Sequence, residues 1–244
     1  MQRQAAGAAL IFLISVSFMT GCSSTGKQRT PEEWLSLSYS GLAATDQYAF
    51  TGSMSIKTDE GIAFKPEIFD GKVVDHQQLT LQTSSTDPLH WNPVQVLEAL
   101  NQSNEEVRIA DDNTDPDMVK LVIKESAHLS KERWQQRLLQ QVDQLGANRP
   151  AKEQPYFQKW SKVLSSSREE LEAMLDTLEA STEYELVIDR DRLLPLKMEE
   201  ETLFRYKHKG HPFSESRHTT VRFQSFNGDS SDTVQHKRKH VTID

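Results

Sequence analysis

The order of two hydrophobic periodicities along the chain constrains the fold more than any other feature of the sequence. Tyr48, Phe50, Met54 and Ile56 alternate with small or polar residues, the period-two pattern of a strand with one wet face. Period-two stretches come first, two long stretches of helical periodicity follow, and period-two stretches then return. This order predicts an antiparallel α+β domain whose helices cover one face of the sheet.

The predicted strands form an early and a late group. A turn at residues 59–61 leads from 48–56 into 62–64, which predicts a hairpin between these two segments. The other predicted strands cover residues 76–83, 106–109, 119–123, 184–188, 194–206 and 220–226.

Capping residues and proline mark the predicted helix starts. The signals are Thr30 followed by Pro31 and Glu33, Asn92 followed by Pro93, and Ser130, which is predicted to cap a helix ending at Gly146. A long helical connector over residues 147–165 leads into a second helical stretch, whose last part starts at Ser166. There, Leu171, Met174, Leu175 and Leu178 share one face of the helix.

The N-terminal segment has the order of charged, apolar and small residues that is typical of an export signal. Arg3 is its only charged side chain, residues 5–19 carry no charge, and the small residues Thr20 and Gly21 follow. The uncharged run is too short for a comfortable membrane span of about 20 apolar residues. We therefore predict a signal peptide over residues 1–21.

Cys22, the only cysteine of the chain, directly follows this segment. The run 18–22 resembles the lipobox of bacterial lipoproteins, although Met19 stands where that family usually has leucine. The resemblance implies a diacylglyceryl group on Cys22 and cleavage before it, with residues 22–29 as a lipidated tether. The protein would then be held by its acyl chains on the exported face of the cell membrane, or on the outer membrane of a two-membrane cell. The alternative is that Cys22 is incidental, which would leave an exported thiol without a disulfide partner.

The body of the chain resembles a superfamily of half-barrel lipoproteins. The residues that carry the resemblance are 48–54, after an N-terminal helix, and the late hairpin 184–198 with its Asp-rich turn. The superfamily includes the LolA/LolB-like carriers and the LppX/LprG-like envelope lipoproteins. The resemblance implies a half-barrel α+β domain over residues 30–228, with a gap between sheet and helices that can hold a lipid or acyl chain. The long helical connector 147–165 is a departure from the smaller carriers of the superfamily, and it can fill or cover that gap.

A set of apolar residues is the expected interior: Tyr48, Phe50, Met54, Phe64, Leu79, Leu121, Leu138, Met174, Leu175, Leu186 and Phe223. The candidate ligand contacts among them are Phe50, Met54, Phe64, Leu79, Leu121, Met174 and Leu186. A closed core explains the same set without a ligand, because pockets are lined by the same residue types. The alternative function is therefore a ligand-free module for protein interaction in the cell envelope.

Composition and motifs argue against several other classes. A net charge of −8 disfavours nucleic acid as a partner. The chain contains no Gly-x-Ser-x-Gly elbow, Gly-rich phosphate loop or His-Glu-x-x-His helix, and an acylated Cys22 cannot act as a nucleophile. We therefore expect no enzyme and no cofactor.

The remaining histidine clusters are expected to lie in water. His208, His211 and His218 offer ring nitrogens, but Lys207 and Lys209 would repel a cation, so we expect a solvated hairpin tip and no metal site. Residues 229–244 form a polar C-terminal tail. Its basic run 236–240 is expected to be a solubilising segment, with contact to anionic lipid headgroups as the alternative.

Replacing the sulfur tests the anchor. We expect Cys22→Ser to leave the leader uncleaved or to release the protein from the membrane fraction, because the serine oxygen does not accept the diacylglyceryl group. Cell fractionation and intact-mass analysis measure both outcomes. Identical fractionation of wild type and variant would contradict the lipid anchor.

Overall fold

The computed structural model describes residues 29–76, 78–83, 92–147 and 149–228. The predicted signal peptide, Cys22, nearly all of the tether and the tail 229–244 lie outside these residues. Within them, no helix is both long enough and apolar enough to cross a membrane.

The described residues form an antiparallel α+β domain with one open sheet, which confirms the predicted fold class. The strands follow the order β3-β2-β1-β8-β7-β6-β5-β4 across the sheet. Their bounds are β1 Tyr48–Thr58, β2 Glu67–Val74, β3 Gln78–Thr83, β4 Asn104–Ile109, β5 Met118–Glu125, β6 Glu179–Asp189, β7 Pro195–His208 and β8 His211–Gln224. The helices are α1 Pro31–Ala43, α2 Pro93–Ser103, α3 Ala127–Ala147 and α4 Phe157–Asp176.

All four helices lie over one face of the sheet. Strand β6 shows this clearly, because every second residue from Ala180 to Ile188 is buried while the residues between them are less so. Helix α3 lies against β6 and α4 against β7, whereas α1 and α2 cover the end near β4 and β5. The alternation read from the sequence therefore separates a helix-covered face from a wet face.

The buried apolar residues form two clusters at opposite ends of the covered face. The first cluster joins α1 and α2 to the sheet through Trp34, Leu35, Leu42, Tyr48, Phe50, Phe69, Val73, Leu97, Leu100, Val107, Val119, Leu121, Ile123, Tyr184, Leu186, Ile188, Met198, Val221, Phe223 and Phe226. The second cluster joins α3 and α4 to the sheet through Trp134, Leu175, Leu178 and Ala180.

Local signals at α1 and α2 gave the correct helix starts. Thr30 and Glu33 form the predicted capping box, with the Glu33 carboxylate accepting from the Thr30 N–H at 2.9 Å. The Asn92 side chain accepts from Val94 N at 3.0 Å before Pro93 begins α2.

One prediction at the later helices was wrong. Ser130 does not cap α3 but lies inside it, fully buried, because its hydroxyl bonds Thr182 on β6. The helical connector predicted over residues 147–165 contains the beginning of α4, at Phe157. Side chains of its second half, including Trp160 and Leu164, line a space against the end of α3, away from the sheet.

The predicted hairpin partner of β1 was also wrong. Residues 62–64 make only an isolated bridge, Lys57 to Ala63, and β1 pairs instead with β2, which the sequence reading missed. In that pairing Phe50 faces Gly71 and Phe69 faces Gly52. Each ring covers the glycine opposite, where a Cβ would overlap it.

This aromatic–glycine packing predicts opposite effects for two glycine substitutions. Gly71→Ala should lower the free energy of unfolding by about 1–3 kcal/mol, because its methyl group overlaps the Phe50 ring. Gly146→Ala in α3 meets only ordinary contact with Leu164 and should raise it by about 1 kcal/mol. Urea unfolding followed by circular dichroism measures both values. Equal effects of the two substitutions would contradict the packing described here.

Candidate functional site

A band of polar side chains crosses the covered face between the two apolar clusters. On β7, Glu200 and Thr202 stand between Met198 of the first cluster and Phe204 beside the second. The register sets Glu200 beside Tyr184 and Thr219, and Thr202 beside Thr182 and Arg217. We call this the polar band; its members are Glu125, Ser130, Arg133, Thr182, Tyr184, Glu200, Thr202, Arg217 and Thr219.

Arg133 of α3 holds the carboxylates of the band. Its Nε and Nη2 donate to both oxygens of Glu125 at 3.0 and 2.8 Å, and Nη2 also donates to the Tyr184 hydroxyl at 3.1 Å. Glu200, whose side chain is 3 % exposed, lies 3.8 Å from the same nitrogen. Desolvation by burial raises the pKa of Tyr184 well above its usual value, so this hydroxyl stays protonated.

A chain of hydroxyl groups fixes Glu200 from the other side. Thr202 donates to Glu200 Oε1 at 3.2 Å, so its own oxygen accepts from Thr182 at 3.0 Å, which in turn accepts from Ser130 at 2.7 Å. Charge-assisted hydrogen bonds of this kind compensate a buried carboxylate. The chain explains why Ser130 is buried inside α3.

Three guanidinium groups surround the ring of Trp134. Those of Arg217, Arg133 and Arg137 lie 4.6, 5.1 and 5.1 Å from its centroid. Burial and the neighbouring Arg137 lower the pKa of Arg217 to about 10, and burial also lowers the pKa of Arg137. Arg217 Nε has no hydrogen-bond partner among the described residues.

A cavity of about 320 Å³ lies between the sheet, α3 and α4, next to the polar band. We call it the α3–α4 cavity. Its walls are mostly apolar, and Arg137 and Arg217 contribute to them. The lining residues are Met54, Ile56, Glu67, Trp134, Arg137, Leu138, Gln141, Leu171, Met174, Leu175, Leu178, Phe204, Tyr206, Glu215 and Arg217.

A smaller cavity of about 220 Å³ lies between α2 and the polar band. Asn92, Gln95 and Val96 of the α2 region line it together with Glu125 and Glu200. Arg137 contributes to both cavities, so the band stands between them.

The seven predicted ligand contacts lie in different parts of the domain. Met54 and Met174 line the α3–α4 cavity, and so do Leu138 and Leu175 from the wider predicted interior. Phe50, Leu121 and Leu186 are fully buried in the first cluster, and Leu79 packs half-buried against it. The interior position predicted for Phe64 was wrong, since this side chain is 55 % exposed after the turn that follows β1.

The sequence reading missed the charged residues of the site. Arg217 shares strand parity with Val221 and Phe223, so alternation along β8 carried the signal, but the predicted strand began only at residue 220. Arg137 and Trp134 lie on the same side of α3, and only the path of that helix across the sheet brings them to Arg217.

The histidines near the β7–β8 turn lie at the surface. Glu170 on α4 pairs with His208 and with Lys209, whose Nζ lies 2.9 Å away. These two partners lower the pKa of Glu170. Within the described residues, no group of three or more His, Cys, Asp and Glu side chains is placed to hold a metal ion.

No family model and no curated protein matches the chain. Among solved structures, a LolA superfamily protein from Nitrosomonas europaea is 7 % identical over 81 % of this chain and 92 % of its own, with a TM-score of 0.23. The TesB protein of Mycobacterium avium subs paratuberculosis is 6 % identical over 79 % and 84 %, with a TM-score of 0.13. The acyl-CoA thioesterase II TesB2 of Mycobacterium marinum is 8 % identical over 80 % and 90 %, with a TM-score of 0.12.

The first of these structures belongs to the superfamily that the sequence pattern resembles. The fold class rests on the strand order and helix positions observed in this chain.

The polar band predicts a large difference between two arginine substitutions. Arg133→Met should lower the free energy of unfolding by about 3–5 kcal/mol, because it leaves Glu125 and Glu200 buried without their cation. Arg168→Met, which removes exposed ion pairs to Asp143 and Glu172, should have a much smaller effect, because water and salt screen exposed pairs. Chemical denaturation of both variants gives the comparison. A cost for Arg133→Met no larger than that for Arg168→Met would show that the band does not stabilise the fold.

Proposed function

We propose that this protein is a membrane-anchored, non-catalytic lipoprotein whose α+β domain binds a lipid or acyl chain in the α3–α4 cavity. The observation that carries the proposal is the cavity itself, about 320 Å³ with mostly apolar walls. Its volume falls at the lower end of the range for small-molecule sites, which are mostly apolar with a few polar groups.

The contrast between the two ends of the covered face supports this location. At the first cluster, Phe50, Leu121 and Leu186 are fully buried, so that end is filled by the protein's own side chains. At the other end, Met54, Ile56 and Met174 are only half-buried and line the cavity. A hydrocarbon chain placed there would gain about 0.8 kcal/mol for each methylene group removed from water.

The anchor rests on the sequence around Cys22. Two acyl chains on one cysteine hold a protein on a bilayer almost permanently, whereas a single chain is marginal. The first helix begins at Pro31, so the domain would stand close to the exported face of the membrane. A domain held there meets acyl chains at a high effective concentration.

One observation favours the alternative, a ligand-free interaction module. Ile62, Phe64 and Ile68 follow one another closely in sequence and are 55, 55 and 64 % exposed. Exposed apolar side chains of this size can contact another protein. The experiment below separates the two functions.

Native mass spectrometry of the full chain, extracted from producing cells with mild detergent, tests the proposed cargo. We expect a co-purified lipid near one per protein, and Met174→Trp should remove it by filling the cavity. Val163→Trp, at a 58 % exposed position of the same helix, is the matched control and should keep the lipid. A lipid-free mass for the wild type would favour the interaction module.

A further inference from the structure

The α3–α4 cavity has two cationic groups in an otherwise largely apolar wall. Arg137 and Arg217 line it together with Leu171, Met174 and Phe204. Arg217 is only 7 % exposed, although a guanidinium carries five N–H donors that need acceptors. Burying a cation is unfavourable unless a partner compensates it.

The described carboxylates near the cavity either bind other residues or interact with the two arginines only over a longer distance. Arg133 takes both oxygens of Glu125 and lies beside Glu200, which also accepts from Thr202. Glu215 accepts from the Tyr206 hydroxyl at 2.7 Å.

Glu67 and Glu200 attract Arg137 through longer-range electrostatics, without an ion pair among the described residues. Arg217 Nε likewise lacks an acceptor there. Both guanidiniums therefore lie over the Trp134 ring, 5.1 and 4.6 Å from its centroid, and neither forms an ion pair with a carboxylate among the described residues.

We propose that Arg137 and Arg217 hold the anionic head group of the ligand, so that the cavity selects acyl chains ending in an oxyanion over neutral ones. This inference rests on the proposed function and narrows its ligand class. An oxyanion between the two guanidiniums would supply their missing acceptors and relieve their mutual repulsion. Arginine suits this role because its planar fork matches carboxylate and phosphate geometry.

The apolar part of such a ligand would lie along the walls formed by Leu171, Met174 and Phe204. Carboxylate and phosphate heads share the recognising chemistry. A free fatty acid and a phosphate-bearing lipid are therefore the two sources that an experiment must separate.

Binding of three probes with the same chain measures the selectivity: hexadecanoate, hexadecyl phosphate and hexadecan-1-ol. The full chain, delipidated in mild detergent, is titrated with each by isothermal calorimetry. We expect at least one anion to bind about tenfold to a hundredfold more tightly than the alcohol, the range for hydrogen bonds to a charged group. The tighter of the two anions identifies the head group as carboxylate or phosphate.

Arg137→Met should remove this preference, because it weakens binding of the anions much more than binding of hexadecan-1-ol. Arg168→Met removes an arginine from the exposed face of α4 and should keep the preference. Arg217→Met is a second test, with its folding checked by circular dichroism because Arg217 is buried. If that variant does not fold, Arg137→Met decides alone.

Three results would overturn the inference, and they differ in what else they refute. Equal binding of the alcohol and both anions by the wild type would refute the anionic head group but leave hydrophobic ligand binding intact. Failure of all three probes to bind would refute the proposed function as well. An anion preference that persists in Arg137→Met would show that these arginines do not recognise the head group.

Discussion

The bidentate ion pair between Arg133 of α3 and Glu125 at the end of β5 fixes the long helix α3 on the covered face. It ties the long helix to the sheet at a point where Tyr184 and Glu200 also meet the same guanidinium. Removing these charges from water is costly, and the geometry compensates for it. Glu125 accepts two hydrogen bonds from Arg133, and Glu200 accepts one from Thr202 beside the same guanidinium. Because these bonds are directional, they define where α3 lies in a way that nonpolar contacts alone do not.

The polar band that results divides the interior into two parts with different properties. On one side the described residues of the first cluster are closely packed, with the rings of Phe69 and Phe50 lying over Gly52 and Gly71. On the other side α3 and α4 meet the sheet through a smaller cluster, and the α3–α4 cavity opens beside it. A closely packed end and an end with a cavity suit the proposed function, in which the domain holds a flexible molecule.

Trp134 connects the polar band to the cavity. Its ring contacts Arg133, which is paired with carboxylates, and also Arg137 and Arg217, whose donors are not similarly satisfied within the described residues. The same helix therefore supplies one arginine that stabilises the fold and another that faces the cavity. In the proposed function this arrangement places a polar end and an apolar wall within one binding site, as an amphiphile requires.

The sequence by itself determined the features that depend on neighbouring residues. The alternation of β1 and the caps at Thr30 and Asn92 are local, and the structure has them where they were predicted. The order of strands and helices gave the fold class for a similar reason, since each element carries its own period. Ser130 shows the limit of local signals. The predicted cap does not form, because its hydroxyl forms a hydrogen bond with Thr182, a residue far away in sequence.

Tertiary structure alone decided the site. β2 was missed because Gly71 interrupts its apolar alternation, and the reason for that glycine is the Phe50 ring of another strand. Arginines on a helix and a strand are usually solvated, so nothing local marks Arg137 and Arg217 as neighbours. Their meeting at Trp134 depends on where α3 crosses the sheet, and long-range ion pairs and packing fix that crossing.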